Sequence, residues 1–389
     1  MRIKGNTAAT AMAITLVSAG GAALHAPAAL AAEGYRLHQP AFPLMGGEMA
    51  STTEHLGFFG TAATSYGNSY KVVGNDGHRI SSPGQTISLP TSALTGGAIP
   101  DGTYNVAVEP ADIDYSQHTL QMNLIVGYLF QTGIEGGRVA LTLNQPYQRS
   151  SRDVSISPQA VAITPTPPAS LPPALSNALN NIVNSVANQV SDSQQQQLDY
   201  QNRDANGFGD SLLAVVYAQN LLDNRLKLAG GVSVSVPDGE YKSDRGPNPG
   251  FNYYTTRLEA LSTYSFGNQR GDVFSGLTIG GRVAYGWNSK NKDSDYKTGQ
   301  FFNAEFAAEK VNGNFAFGIN AYALIQTTDD SGAGAPTTPF RYRAYGAGPF
   351  IAFKLSQRNI GLNLNYADTF GARNAQVARA VSLRLIKTW

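Results

Sequence analysis

The sequence predicts an all-β fold, a transmembrane antiparallel barrel of about 12 strands, and three observations carry that prediction. The chain closes on Val377–Trp389, in which mostly apolar residues alternate with small or polar ones and an aromatic stands last. Charged residues are only 14% of the chain, against roughly 25% in soluble domains, while there are 41 Gly, 19 Tyr and 17 Phe. Alternating segments recur between turn residues, and no run of 18 apolar residues offers a spanning helix.

At the other end, a basic start at Met1–Lys4 precedes an uncharged, small and apolar run over Ala11–Ala32. This predicts a secretory signal peptide over residues 1–31, with cleavage after Ala31 or Ala32. Residues 32–55 lack a clear period and are expected to form a periplasmic N-terminal segment able to tuck into a barrel spanning residues 56–389. The chain has no cysteine, which excludes disulfides and thiolate metal sites. His38, His55 and His78 lie in weakly patterned stretches and make no metal cluster, so neither metal nor cofactor is expected. A net charge of +1 without basic blocks argues against nucleic acid as a partner.

Twelve strands are expected at Leu56–Val73, Leu120–Gln131, Arg138–Tyr147, Phe208–Gln219, Arg225–Val236, Tyr253–Phe266, Gly276–Trp287, Gly299–Val311, Asn314–Gln326, Tyr342–Leu355, Ile360–Ala367 and Val377–Trp389. An even number returns the C-terminus to the periplasmic side, and the connections alternate between short and long, as in outer-membrane barrels. Residues 75–112 and 148–206 read as long outer loops, rich in Pro, Gly, Ser and Thr. Within the second, Leu171, Leu175, Leu179, Ile182, Val183, Val186 and Val190 fall at helical spacing. They predict an amphipathic helix over 171–197. It either packs on the loops and barrel mouth or gates the lumen through Leu175, Leu179, Ile182 and Val186.

The aromatics sort by strand end. Tyr128, Phe130, Tyr264, Phe266 and Trp389 fall at periplasmic ends and Tyr285, Trp287 and Tyr366 at outer ends, which is the pattern of two interfacial girdles in contact with the lipid bilayer. With Leu277, Ile279, Val283 and Tyr285 facing lipid, the opposite parity faces inward. It brings in Asp210, Arg257, Glu259, Arg282, Glu305 and Arg384 together with Tyr322 and Phe350. Asp210, Arg257, Glu259, Arg282 and Glu305 are expected near mid-height, with Glu259, Arg282 and Glu305 forming a ladder and Arg257 adjoining. The ladder either braces the wall or forms a polar constriction; its mixed signs argue against strong ion selectivity.

Two resemblances add to this reading. The terminal strand, ending in Trp389, resembles the C-terminal signal recognised by the outer-membrane barrel-assembly machinery, with Lys387 where an apolar residue is usual. The mature chain resembles the outer-membrane family named after the meta-pathway of phenol degradation. The resemblance rests on Ile99-Pro100-Asp101-Gly102-Thr103-Tyr104, Gly207-Phe208-Gly209-Asp210, Asp238-Gly239-Glu240-Tyr241, the tract from Asn288 to Gly299, Asp329-Asp330-Ser331-Gly332, and Arg343 through Pro349. It implies a barrel in the outer membrane of a Gram-negative bacterium, without enzymatic activity, taking up small hydrophobic or aromatic compounds passively. A general diffusion porin and a surface or adhesion barrel are the alternatives. An outer-membrane esterase is the weakest alternative: Ser116 and His118 are two residues apart, but in the reverse of the lipase order and without an Asn partner.

Overall fold

The computed structural model describes residues 36–38, 45, 56–82, 84–90, 102–134, 136–156, 161–166, part of 173–199, 202–243, 246–267, 273–335 and 339–389. The expected signal peptide lies outside the described residues. The chain divides into two units, one of residues 79–114 and 154–200 together with the first 28, the other containing the remainder.

Twelve long antiparallel strands build the larger unit. These are β1 Gly57–Val73, β2 Ala111–Gln131, β3 Gly137–Ile156, β4 Ser211–Leu221, β5 Leu226–Val236 and β6 Thr255–Ser265. They continue with β7 Leu277–Asn288, β8 Phe301–Asn312, β9 Phe315–Gln326, β10 Arg343–Leu355, β11 Ile360–Arg373 and β12 Ala375–Thr388. Each pairs with its neighbours in sequence, and β12 returns to pair with β1 from Thr388 opposite Phe59 to Ala375 opposite Val73. Closure leaves no edge, so the wall satisfies its own backbone donors and acceptors inside lipid.

Burial is inverted relative to a soluble protein. Leu124, Leu258 and Ile319 are more than half exposed on the outer face. Ser233, Thr255, Asn303, Asn320 and Asn363 are almost wholly buried on the inner one. An apolar exterior meets acyl chains at no hydration cost, and the alternating polar positions are left to hydrogen-bond one another inside. The expected girdle residues pair off along the strand ends: Tyr128 lies 4.5 Å from Phe130, Tyr264 5.0 Å from Phe266, and Tyr285 4.9 Å from Trp287, centroid to centroid. Tyr366 and Trp389 are exposed on the same surface.

Several boundaries differ from the sequence expectation. β2 starts at Ala111 and β3 runs on to Ile156, so neither 75–112 nor 148–206 is loop throughout. In these extensions Gln148, Ser150 and Arg152 face inward between exposed Arg149, Ser151 and Asp153. A polar–polar alternation of this kind has no hydrophobic period to detect. The strand expected from Phe208 breaks instead: Asp204–Phe208 pairs with β3, and β4 begins at Ser211. β11 extends to Arg373, which reduces the connection between the strands expected at Ile360–Ala367 and Val377–Trp389 to a turn at Asn374, whose φ is 47°.

In the smaller unit Gln85–Pro90, Thr103–Val108 and Val161–Thr166 form a three-stranded antiparallel sheet with Thr103–Val108 in the middle. This joins two segments read separately as loop, a pairing that no local pattern encodes. Described residues from Pro173 to Asp199 are helical and polar. Leu175, Leu179, Ile182 and Val186, the expected gate positions, lie outside the described residues.

Candidate functional site

The site is built inside the barrel from inward positions of alternate strand residues. Arg282 on β7 donates through Nη2 and Nε to Glu259 Oε2 on β6, at 2.6 and 3.0 Å, and through Nη1 to Glu305 Oε1 on β8 at 3.1 Å. The strand register sets this up, because Arg282 stands directly opposite Glu305 and next to the partner of Glu259. Glu305 also accepts from Asn303 Nδ2 at 3.0 Å, and its side chain is only 1% exposed. A buried guanidinium flanked by two carboxylates is held in place because either acid alone would be left uncompensated.

Arg257 adjoins this ladder two residues from Glu259 on β6, and Asp210 makes its contacts elsewhere. Arg257 donates to Ser235 Oγ at 3.1 Å and, through Nη2, to the backbone oxygen of His38. Asp210 accepts from the backbone amides of Gly239 at 3.0 Å and Phe251 at 2.9 Å, both in the 237–254 connection. The cause is the break at residues 209–210, where Gly209 N bonds Pro146 O and the chain leaves the pleat. A Cβ on Gly239 would come within 2.6 Å of Gly209 C, so this clamp requires glycine. Asp330 ties down a second outer connection through Gly299 N at 2.7 Å and Gln326 Nε2 at 2.6 Å. The Gly- and Asp-rich motifs singled out in the sequence thus brace the outer mouth.

The sequence marked residues 32–55 as able to tuck into the barrel but did not identify which of them occupy the lumen. Arg36, Leu37, His38 and Met45 pack inside the barrel. Leu37 is buried among Phe301, Tyr322, Leu324, Tyr342 and Ala344. Met45 packs on Ala307 and Phe350, and its amide donates to Glu305 Oε2 at 2.8 Å. The His38 ring stacks on Phe251 at 4.3 Å with 18° between planes, meets Tyr253 edge-on at 5.6 Å, and lies 3.0 Å from Thr255 Oγ1 through Nδ1. Burial, then Arg257 and Arg36, hold this imidazole well below its ordinary pKa, so it is neutral. Only reach could have pointed here: the residues between the expected cleavage site and β1 extend to roughly 3.3 Å each, enough to thread the lumen.

Tyr322 is fixed by Thr369 Oγ1 at 2.8 Å from its hydroxyl, with its ring lying over Gly346, where a Cβ would approach to 2.3 Å. Arg384 lines the opposite wall. There a cavity of about 660 Å³ runs past Thr61, Ser65, Thr119, Gln121, Asn144 and Ser382. Four guanidinium groups, Arg36, Arg257, Arg282 and Arg384, line it against two carboxylates, Asp210 and Glu259. The lining therefore leans positive despite its mixed signs.

Ser116 and His118 lie on the outer surface, and Tyr66 supplies the third group: Tyr66 Oη is 2.8 Å from His118 Nδ1, and Ser116 Oγ is 3.4 Å from Nε2. A phenol that donates to Nδ1 leaves the ring proton on Nε2, the wrong tautomer for taking a proton from serine. Among the described residues no group of three or more His, Asp or Glu could hold a metal ion.

A closed twelve-stranded wall with an apolar exterior and a polar, partly filled lumen defines an outer-membrane β-barrel. Residues 128–385 match the profile of the family described as "Putative MetA-pathway of phenol degradation", and the chain belongs to that family. No curated protein matches the sequence. Among solved structures, an outer-membrane channel of Pseudomonas putida F1 is 13% identical, with a TM-score of 0.57 over 87% of this chain and 98% of that one; it shares the fold. The beta domain of the Bordetella autotransporter BrkA is 9% identical, with a TM-score of 0.42 over 86% of this chain and 100% of that one. The Pseudomonas putida toluene transporter TodX is 8% identical, with a TM-score of 0.35 over 87% and 90%.

Proposed function

We propose that this barrel is a passive passage for small hydrophobic or aromatic compounds across the outer membrane. The observation that carries this is the divided lumen. The N-terminal segment packs against the β6–β10 wall, and the 660 Å³ cavity runs beside it along β1–β3 and β12, reaching Arg257 and Glu259 on β6 and Arg282 on β7. That volume suits a single small molecule. Beside those charged groups its wall mixes neutral hydroxyls and amides with apolar contacts from Phe59, Ile125, Leu129 and Ile386. Such a lining lets an amphipathic aromatic slide without a deep binding minimum. The family's description points to aromatic catabolism, in keeping with such cargo.

The test is conductance in planar bilayers beside liposome uptake of a labelled aromatic acid and a sugar of similar size. Little steady current with selective aromatic uptake is expected. Steady current with equal uptake of both solutes would make it a general porin, and no uptake of either would favour a surface role. We also infer that the terminal strand is what the barrel-assembly machinery recognises. Trp389 closes that strand, its amide donating to Phe58 O at 3.0 Å.

A further inference from the structure

His38 sits as a ligand would. A flat five-membered ring is stacked on Phe251, edged by Tyr253, and met at its rim by polar groups on three sides. Thr255 Oγ1 is 3.0 Å from Nδ1, Asp210 Oδ2 is 3.5 Å from Nε2, and Arg257 binds the backbone oxygen of the same residue. The guanidinium of Arg36 lies 4.5 Å from the centre of the Phe251 ring. The slot itself is rigid: Asp210 and Phe251 are tied to each other through the backbone amide, and Thr255 is tied to Asn288 at 2.8 Å. Phe251, Arg257 and Asp210 also line the open cavity, so the slot opens onto the proposed path.

A rigid aromatic slot facing a transport path, filled by the chain's own imidazole, has the geometry of a subsite held by a stand-in. We propose that Phe251, Tyr253, Thr255, Asp210 and Arg257 form a binding site for a single planar ring bearing one hydrogen-bonding group, and that cargo enters by exchanging with His38. This deepens the transport reading and rests on it.

Exchange is energetically balanced because what leaves resembles what arrives. A phenolic ring would restore the stacking on Phe251 and donate a hydrogen bond from its hydroxyl to Asp210. The displaced imidazole regains water, where a neutral His is well solvated. The site would not be vacated by a saturated ring of equal size, which cannot stack flat on Phe251 and fits an edge-on Tyr253 poorly. On the expected cleavage after Ala31 or Ala32, Arg36–His38 stands within about the first half-dozen residues of the mature chain, and undocking a chain end requires no loop to reorganise.

The experiment uses the full mature protein in planar bilayers and liposomes, with phenol and cyclohexanol as probes. Wild type should show low current that rises with phenol and not with cyclohexanol. His38→Ala should show severalfold higher current without phenol and no further rise. His38→Phe keeps the ring but loses the Thr255 and Asp210 contacts, and should respond at about fivefold lower phenol, the factor of one net hydrogen bond. Because the chain lacks cysteine, Leu37→Cys gives a second readout with His38 intact. Its maleimide labelling should accelerate severalfold with phenol, and heat-modifiable gel migration identifies the folded barrel. Labelling unchanged by phenol, or a His38→Ala current and phenol response equal to wild type, overturns the exchange while aromatic uptake still supports the channel. Absence of aromatic uptake in both wild type and His38→Ala overturns the channel reading itself.

Discussion

Replacing Arg282 by Met removes the cation that bridges two carboxylates and so isolates how much the lumen ladder contributes. In the wild type Arg282 meets Glu259 at 2.6 Å and Glu305 at 3.1 Å, and the Glu305 side chain is 1% exposed. Removing one partner of such a buried set costs about 3 to 5 kcal/mol, because the remaining charges lose compensation without regaining water. The measurement is urea unfolding of barrels refolded into liposomes, at pH 8, for Arg282→Met, Glu305→Gln and the double variant. The double variant should recover at least 1 kcal/mol relative to the sum of the singles at pH 8. Additive effects, or a loss under 1 kcal/mol for Arg282→Met, would show that the ladder is solvated and that the burial reasoning is wrong.

Other outcomes follow from the same geometry. His38 docks neutral with its pKa depressed by burial, Arg257 and Arg36. Asp210 at 3.5 Å pulls the other way, but its oxygens already accept from Gly239 and Phe251; Tyr253 faces the same ring. Docking should therefore hold above the free imidazole value near 6.5 and weaken about tenfold per pH unit below it, seen as a basal current that rises on acidification in the wild type and is already high, without that rise, in His38→Ala. Gly346→Ala pushes a Cβ to 2.3 Å from the Tyr322 ring and should destabilise the barrel by about 1 to 3 kcal/mol in the same unfolding assay. Leu124→Arg, on the lipid face, should cost about 2 to 4 kcal/mol, whereas Thr142→Arg, on the cavity wall, should alter solute selectivity with little loss of stability.

Alternation along each strand determined the wall, because a pleated strand between lipid and water puts its two chemistries on opposite faces whatever else the chain does. From that parity came the inward placement of Glu259, Arg282 and Glu305, whose contact depends only on neighbouring strands in register. The outward aromatics were legible for the same reason. Tertiary structure decided the contents of the lumen. Arg36, Leu37 and His38 follow no period, since each is placed by a separate pocket: Phe251 for the ring, Arg257 for its carbonyl, the Phe301 and Tyr342 cluster for the leucine. The contacts of Asp210 were not legible because the pleat breaks at residue 209 and the 237–254 connection supplies amides that local sequence does not foretell. The outer extension of β3 escaped notice because polar residues alternate there with polar residues over 148–153, and only pairing across the sheet makes it a strand.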